Sequence, residues 1–370
     1  MKLIKLSAYM QLNLGDDLMV DQLLKRYPDY TFYDWLPGNK KPIFLQNRNF
    51  FNVEDVYSAK ILGKLNRIAD ILTLNKKRGF FFRWVFSLIE RRCCTSVSIG
   101  GSLFRQNTNE TVEKRINRDK RRFSKNNQHY IIGANFGPYK DEEYRKAFHE
   151  FFETCAGVSF RDSYSYNLFK EIPHVQWTSD VVFSIPDRCT DENDNIVISV
   201  LGFSHHPELQ FVKEQYVKFL SDACIATIEM NKKPILVSFC EFEGDSETIS
   251  CVLENLDSSI RDKVEICVYN GNVESILDLF AKSRFIIASR FHSMILGLRY
   301  SKKMFTISYE CKTENVLNDL GIKSWCRIED VQKVQIDEVF SIGAHPVECE
   351  EYIQASQLQF AQLDKALRSR

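Results

Sequence analysis

The feature that most restricts how this chain can fold is an alternation. Short apolar runs of strand length are followed, almost from end to end, by stretches with helical spacing. In the first half the runs are "KLIKLSAY", "YTFYDW", "SVSIGG", "HYIIGANF" and "GVSFRD", with "WTSDVVF" closing the series. In the second half they are "NIVISVLGF", "KPILVSFCE", "KVEICVYN", "RFIIASR" and "KMFTIS". Helical stretches lie between them, such as Asp17–Arg26, Glu142–Thr154, Glu214–Met230 and Val273–Lys282. Strands alternating with helices predict βαβ units and parallel sheets. The series pauses at Pro186–Asn195, "PDRCTDENDN", which is polar, charged and opened by a proline, and so reads as a linker. The 370 residues suffice for two cores. The expected class is α/β: two doubly wound, Rossmann-like domains facing each other across a cleft, with bounds at 1–188 and 195–345. The last stretch, 346–370, reads as one helix with Tyr352, Ile353, Leu358, Phe360, Leu363 and Leu367 at its apolar positions, packing back on the first domain.

Composition removes several function classes. Lysine plus arginine and aspartate plus glutamate both number 49, so no global affinity for nucleic acid follows, and no nucleic-acid module is visible. The opening "MKLIKLSAYMQLNLGDD" is too short in apolar residues for a signal-peptide core, and no apolar run nears the length of a membrane span. A cytoplasmic protein is expected. Eleven cysteines without a C-x-x-C pair then read as reduced thiols rather than as disulfides or a zinc site. Two local biases stand out. "RGFFFRWVFSLIERR" (78–92) is aromatic with basic flanks, and residues 105–128 hold eight basic against three acidic side chains. The plain reading is a packed helix followed by a solvated loop; the sharper one is peripheral contact with anionic lipid at the inner face of a membrane.

In open parallel sheets ligands bind beyond the carboxyl ends of the strands, so the residues just after each run carry the information. Five such loops differ from plain turns. "NLGDDLM" follows the first run; Gly15 allows a tight turn, and Asp16 or Asp17 falls at a helix start, where an aspartate cap is routine. "IGGSLF" offers paired glycines, including Gly101, that let a ligand approach the backbone. "GANFGPY" brings Asn135 to a third strand end, and "SFRDSYS" places Arg161 at a fourth, next to Asp162 as a local partner or cap. In "ASRFHSMILGL", Ser289 reads as the N-cap, with Arg290, Phe291 and His292 in the first turn. Free N–H groups and the positive helix end favour an anion there, and a cation at that place is unfavourable unless something negative is bound.

The ordered set "NLGDDLM", "IGGSLF", "GANFGPY", "SFRDSYS", "TSDVVF", "ASRFHSMILGL" and "TISYECKTENVLNDLG" resembles the polysaccharide pyruvyl transferase family over roughly residues 10–325. The family is similar in fold to two-domain glycosyltransferases of the GT-B type. The resemblance implies transfer of a pyruvyl group from phosphoenolpyruvate to sugar hydroxyls of a surface polysaccharide or its precursor, leaving a ketal. It implies a donor side in the second domain and an acceptor side in the first. By position, the family's arginine-x-histidine matches Arg290 and His292 with Phe291 between them, and its arginine after a first-domain strand matches Arg161; the resemblance implies that these groups hold phosphoenolpyruvate. Ser289, Lys312, Asn315, Asn13, Gly101 and Asn135 are the further candidates for substrate contact. Catalytic candidates are His292, as proton donor or as phosphate ligand, and Asp16, as the group that positions or deprotonates the acceptor. No metal and no cofactor beyond the donor substrate is expected. The chain departs from the family at Ala134, Asn135 and Phe136, where a glutamine is frequent, and at Ser179–Asp180, where Pro-Asp is common; both departures bear on the acceptor. The rival expectations are a GT-B glycosyltransferase using a nucleotide sugar and a non-catalytic component of polysaccharide assembly.

Overall fold

The structure is a computed structural model that describes residues 2–34, 45, 49–52, 64, 95–106, 110–122, 128–188, 191–342 and 347–368. The aromatic stretch 78–92 and Cys93, Cys94 and Cys189 lie outside the described residues. The chain forms two compact units. The first comprises Met1–Met10, Met19–Trp177 and Gln359–Arg370; the second comprises Gln11–Leu18 and Thr178–Leu358.

The first unit is built on β1 (Leu3–Ser7), β2 (Thr31–Asp34), β3 (Phe50–Asn52), β4 (Thr95–Ile99), β5 (Gln128–Ala134), β6 (Gly157–Phe160) and β7 (Val175–Trp177). They form a parallel sheet in the order β3-β2-β1-β4-β5-β6-β7. The order reverses between β1 and β4. β4 and β6 are buried along their whole length, so the small residues that alternate with Val97, Ile99, Val158 and Phe160 are covered as fully as the apolar ones. On one side the core is aromatic. Phe152 lies 4.9 Å from Phe169, 5.0 Å from Phe104 and 5.6 Å from Phe160 between ring centroids, all edge-to-face. The Glu142–Glu153 helix delivers Tyr144, Phe148, Phe151 and Phe152 to this cluster from positions that share one face.

The second unit holds β8 (Asn195–Val200), β9 (Lys233–Ser238), β10 (Glu265–Val268), β11 (Phe285–Ala288), β12 (Lys303–Ser308) and β13 (Trp325–Arg327), all parallel, in the order β10-β9-β8-β11-β12-β13. Its switch of direction falls between β8 and β11, which pair from Phe285 with Ile196 to Ala288 with Ser199. Helices Lys213–Glu229, Val273–Lys282 and Phe291–Arg299 follow β8, β10 and β11, and β8 and β11 keep buried apolar runs between them.

Three readings of the sequence need correction. "WTSDVVF" is not one strand: β7 stops at Trp177, and Val181–Ser184 is a 3-10 turn whose start is held by the Asp180 carboxylate accepting from Val182 N at 2.8 Å. A short polar side chain that satisfies the backbone locally competes with the ladder. The units divide at Trp177, ahead of the polar stretch 186–195, and the described part of that stretch is tied to the second unit: Arg188 pairs with Glu274 and Asp278. The tail is not one helix. Glu350–Gln357 belongs to the second unit and Ala361–Arg368 to the first, with a 3-10 turn, Leu358–Phe360, between them. Within the first unit, Asp364 accepts from Arg26 at 2.6 Å and from Tyr27 Oη at 2.8 Å, and Gln359 Oε1 accepts from Gly133 N at 2.9 Å.

Of the basic stretch, Val112–Arg122 is a helix whose Arg115 is buried against Asp119 (3.0 Å) and whose Arg118 pairs with Glu110 (2.8 Å). Among the described residues no helix is long and apolar enough to cross a membrane. Burial pushes the Cys155 and Cys224 thiols up to about 12, so both behave as small core hydrophobes.

Phe152 sits at the centre of the aromatic cluster with no exposed surface, so Phe152→Ala should cost about 3–5 kcal/mol of stability. Urea unfolding of the two proteins, followed by circular dichroism, checks this; a loss under 1 kcal/mol would mean the cluster closes over the gap.

Candidate functional site

At the switch point of the second sheet, β11 ends at Ala288 and the Phe291–Arg299 helix begins with Arg290 at its N-cap position, in extended backbone. Ser289 is therefore not the cap expected from the sequence. The backbone N–H groups of Ser289 and Arg290 donate instead to Ser199 Oγ on β8, at 2.9 and 3.3 Å. These two bonds tie the turn to the neighbouring strand, and no side chain caps the helix.

The Arg290 side chain is buried, with 6% of its residue surface exposed. Its Nε donates to Val200 O at 3.3 Å, Nη1 pairs with Glu243 and Nη2 with Asp245. Burial pushes the guanidinium down, but Asp245 and Glu243 outweigh it and hold Arg290 well above its ordinary value. Glu243 feels the same field: burial pushes it up, yet Arg290, aided by Lys312 and His206, keeps it below the usual carboxylate range. The guanidinium that the sequence assigned to a bound anion thus already carries two carboxylates of the protein.

His292 stands two residues on, partly buried. Its Nε2 lies 3.7 Å from Asp180 Oδ2, and the Asp180 side chain is 2% exposed. The other ring nitrogen faces Gly15: a Cβ added there would fall 2.0 Å from Nδ1. Gly15 belongs to the segment Gln11–Leu18, which is anchored in this unit by Leu14 N donating to Phe239 O at 3.1 Å. Asn13 shapes that segment, its Oδ1 accepting from Gly15 N at 3.1 Å and its Nδ2 donating to Glu243 Oε1 at 3.2 Å. Asp16 follows Gly15 in the first helical turn and is half-buried. Asp17 is wholly buried and accepts from Tyr269 Oη at 2.8 Å, a packing role rather than a cap. The Phe291 ring meets the imidazole edge-on at 5.0 Å, and the Lys312 ammonium sits 5.5 Å from the centroid of that ring. Lys312 also pairs with Glu310 at 2.6 Å. Asn315 lies one turn along the Cys311–Asp319 helix from Lys312, half-buried.

The first unit gathers a separate cluster at the ends of three adjacent strands. Arg161 follows β6, Asn135 follows β5 and Gly101 follows β4. Arg161 Nη2 donates to Asn135 Oδ1 at 2.9 Å, Arg161 N donates to Ala134 O at 2.9 Å, and Asn135 N donates to Gly101 O at 2.8 Å. A Cβ at Gly101 would meet Arg161 Nη2 at 2.2 Å, so this glycine makes room for the guanidinium. Arg161 is 5% exposed. Asp162 caps the Ser163–Asn167 helix by accepting from Ser165 N at 2.8 Å.

The structure thus places Asn13, Arg290, His292, Phe291 and Lys312 in one connected network of the second unit, and Gly101, Asn135 and Arg161 in one network of the first. Sequence reasoning gave Asp180 only as half of the Ser179–Asp180 pair, and it missed Glu243 and Asp245. The signal for the last two was present: "CEFEGD" stands just past β9, at a strand end where ligand-facing loops lie.

Both sheets are parallel and doubly wound, and solved structures share the arrangement along the whole chain. A putative UDP-N-acetylglucosamine 2-epimerase from Listeria monocytogenes matches at 9% identity and a TM-score of 0.53, covering 100% of this chain and 97% of that one. UDP-GlcNAc 2-epimerase from Methanocaldococcus jannaschii matches at 13% and 0.53, covering 100% of both. A mutant of S. aureus TarM, in complex with fondaparinux, alpha-GlcNAc-glycerol and UDP, matches at 10% and 0.53, covering 100% and 99%. The chain therefore has the GT-B class of fold. Within that class, a family model for polysaccharide pyruvyl transferase matches residues 13–310, and the chain belongs to this family of transferases. No curated protein matches it in sequence.

Asp245 accepts four hydrogen bonds with no exposed surface, from Gly202 N, Phe239 N, Cys240 N and Arg290. Asp245→Ala should lower stability by about 3–5 kcal/mol, because it leaves a buried guanidinium short of its partner and three N–H groups without acceptors. A guanidinium chloride titration reads this directly, and a change below 1 kcal/mol would mean that the network is dispensable.

Proposed function

We propose that this protein transfers a pyruvyl group from phosphoenolpyruvate to two hydroxyls of a sugar, forming a pyruvate ketal on a surface polysaccharide or its precursor. The family match over 13–310 carries the reading, and the placement of His292 at a helix N-terminus on the switch point supports it. The donor brings a carboxylate and a phosphate on a three-carbon frame. In the second unit, the Lys312 ammonium and the imidazole of His292 are the groups that meet such an anion in this reading; in the first unit, Arg161 stands beside Asn135.

The chemistry needs a proton delivered to the methylene carbon of the donor, which makes its central carbon electrophilic. One sugar hydroxyl adds there, phosphate leaves with its oxygen, and a second hydroxyl closes the ketal. Two protons leave the sugar while one enters the new methyl group and one stays on phosphate, so no cofactor is called for. His292 is the proton donor in this reading: Asp180 at 3.7 Å orients the ring and offers a counter-charge when both nitrogens carry protons, and the Gly15 backbone fixes its other edge. Asp16, next to Gly15, is placed to position or deprotonate the acceptor. Arg290 organises this loop set through Glu243 and Asp245. Peripheral lipid contact at a cytoplasmic membrane face stays part of the proposal for the stretches 78–92 and 105–128, in which Lys114 and Lys120 are exposed.

The deciding experiment is incubation with phosphoenolpyruvate and a panel of sugar acceptors, following phosphate release and the mass gained by the sugar. His292→Gln should lower kcat steeply, by roughly 10²-fold or more, while phosphoenolpyruvate still raises the melting temperature. A variant that loses donor binding in proportion would make His292 a phosphate ligand instead. Stabilisation by nucleotide sugars and none by phosphoenolpyruvate would replace this reading with glycosyl transfer. For the lipid contact, co-sedimentation should require anionic vesicles and weaken with salt; equal recovery with neutral vesicles removes it.

A further inference from the structure

The two carboxylates on Arg290 are not equivalent. Asp245 is wholly buried and accepts three backbone N–H groups besides the guanidinium, so turning it away would orphan buried donors, which folded proteins rarely tolerate. Glu243 has a side chain 20% exposed and accepts from two side chains, the Arg290 guanidinium and Asn13 Nδ2. It ends the three-residue turn Glu241–Glu243, which Gly244 closes at φ +89°, a conformation suited to glycine. Its release costs no backbone hydrogen bond of its carboxylate.

We propose that Glu243 is the displaceable counter-ion of Arg290: it holds the guanidinium when no donor is bound and yields that place to the phosphate or carboxylate of the donor. This deepens the reading of phosphoenolpyruvate as donor and rests on it. An anion arriving with both carboxylates in place would set three like charges around one buried cation, which repulsion and desolvation both oppose. Exchange keeps the guanidinium balanced and leaves Asp245 as its fixed anchor. The exchange also reaches further. Glu243 is bonded to Asn13, Asn13 Oδ1 accepts from Gly15 N, and Gly15 packs on the imidazole of His292, so donor arrival and the loop carrying Asp16 are coupled through one carboxylate. Glu243 is thus a positioning residue that competes with the substrate.

Steady-state kinetics on the full chain test this. Glu243→Gln removes the charge and keeps the size, and should lower the KM for phosphoenolpyruvate about tenfold. Glu243→Asp keeps the charge and shortens the reach to Arg290, and should shift KM in the same direction, with the KM for the sugar little changed in both. A merely structural role moves the other way: a loosened Arg290 would raise the donor KM or lower kcat alone. An unchanged or raised donor KM in folded Glu243→Gln overturns the proposal, as does failure of both variants to fold, since a displaceable group is not an anchor. Thermal shift of the unmutated protein separates the two levels. If phosphoenolpyruvate stabilises it and Glu243→Gln gains nothing, the exchange alone is wrong; if phosphoenolpyruvate does not stabilise it, the donor reading falls and the exchange with it.

Discussion

The second unit depends on one buried ion pair. Asp245 receives N–H bonds from Gly202 after β8 and from Phe239 and Cys240 after β9, and it pairs with Arg290 after β11. One carboxylate thereby ties together the carboxyl ends of three adjacent strands, at the place where the sheet reverses its winding. Charges this deep are costly to desolvate and are kept only where every donor and acceptor is met. Here the geometry meets that demand. Gly202 is part of the arrangement, because a Cβ there would lie 2.2 Å from Glu243 O and force the two loops apart.

This pair also shows where a local reading of sequence stops. A cation at the start of a helix demands negative charge nearby, and the reading of "SRFH" assigned that charge to a bound anion. The charge comes from positions 243 and 245, more than forty residues away along the chain, and nothing in the sixteen residues around Arg290 distinguishes a resident carboxylate from a bound one. The same limit hid the role of Asp180. In "TSDVVF" it reads as part of a strand, whereas the fold uses one oxygen to start a 3-10 turn and brings the other to His292.

What was legible follows from burial. Runs such as "FIIA" and "NIVISV" are buried on both faces of a parallel sheet, so their apolar character is continuous and marks them as strands. The Glu142–Glu153 and Val273–Lys282 helices, with one apolar face each, were legible by spacing. β3 and β13 were not, since three residues at a sheet edge carry too little pattern to separate them from a loop. The break in the tail escaped for another reason. Leu358 and Phe360 continue a plausible helical face, but Gln359 turns inward to take Gly133 N, and a buried amide needing that partner outweighs helical continuity.

Two glycines give the last step. Read in the sequence, Gly15 and Gly101 are turn residues, or places where a ligand nears the backbone. In the structure each is a seat for a side chain: the imidazole of His292 rests where a Cβ of Gly15 would be, and the guanidinium of Arg161 rests where a Cβ of Gly101 would be. A side chain packed flat on backbone loses rotamer freedom before any ligand arrives, so the ordering cost of a bound state falls on folding instead of on binding. Asp180 on one edge of His292, and Asn135 beside Arg161, complete the restraint with directional hydrogen-bonding or ionic partners. The ring belongs to the first turn of the Phe291–Arg299 helix and the guanidinium to the residue just past β6, so regular elements hold both. The glycines matter for the atoms they lack, and that role appears in no local pattern.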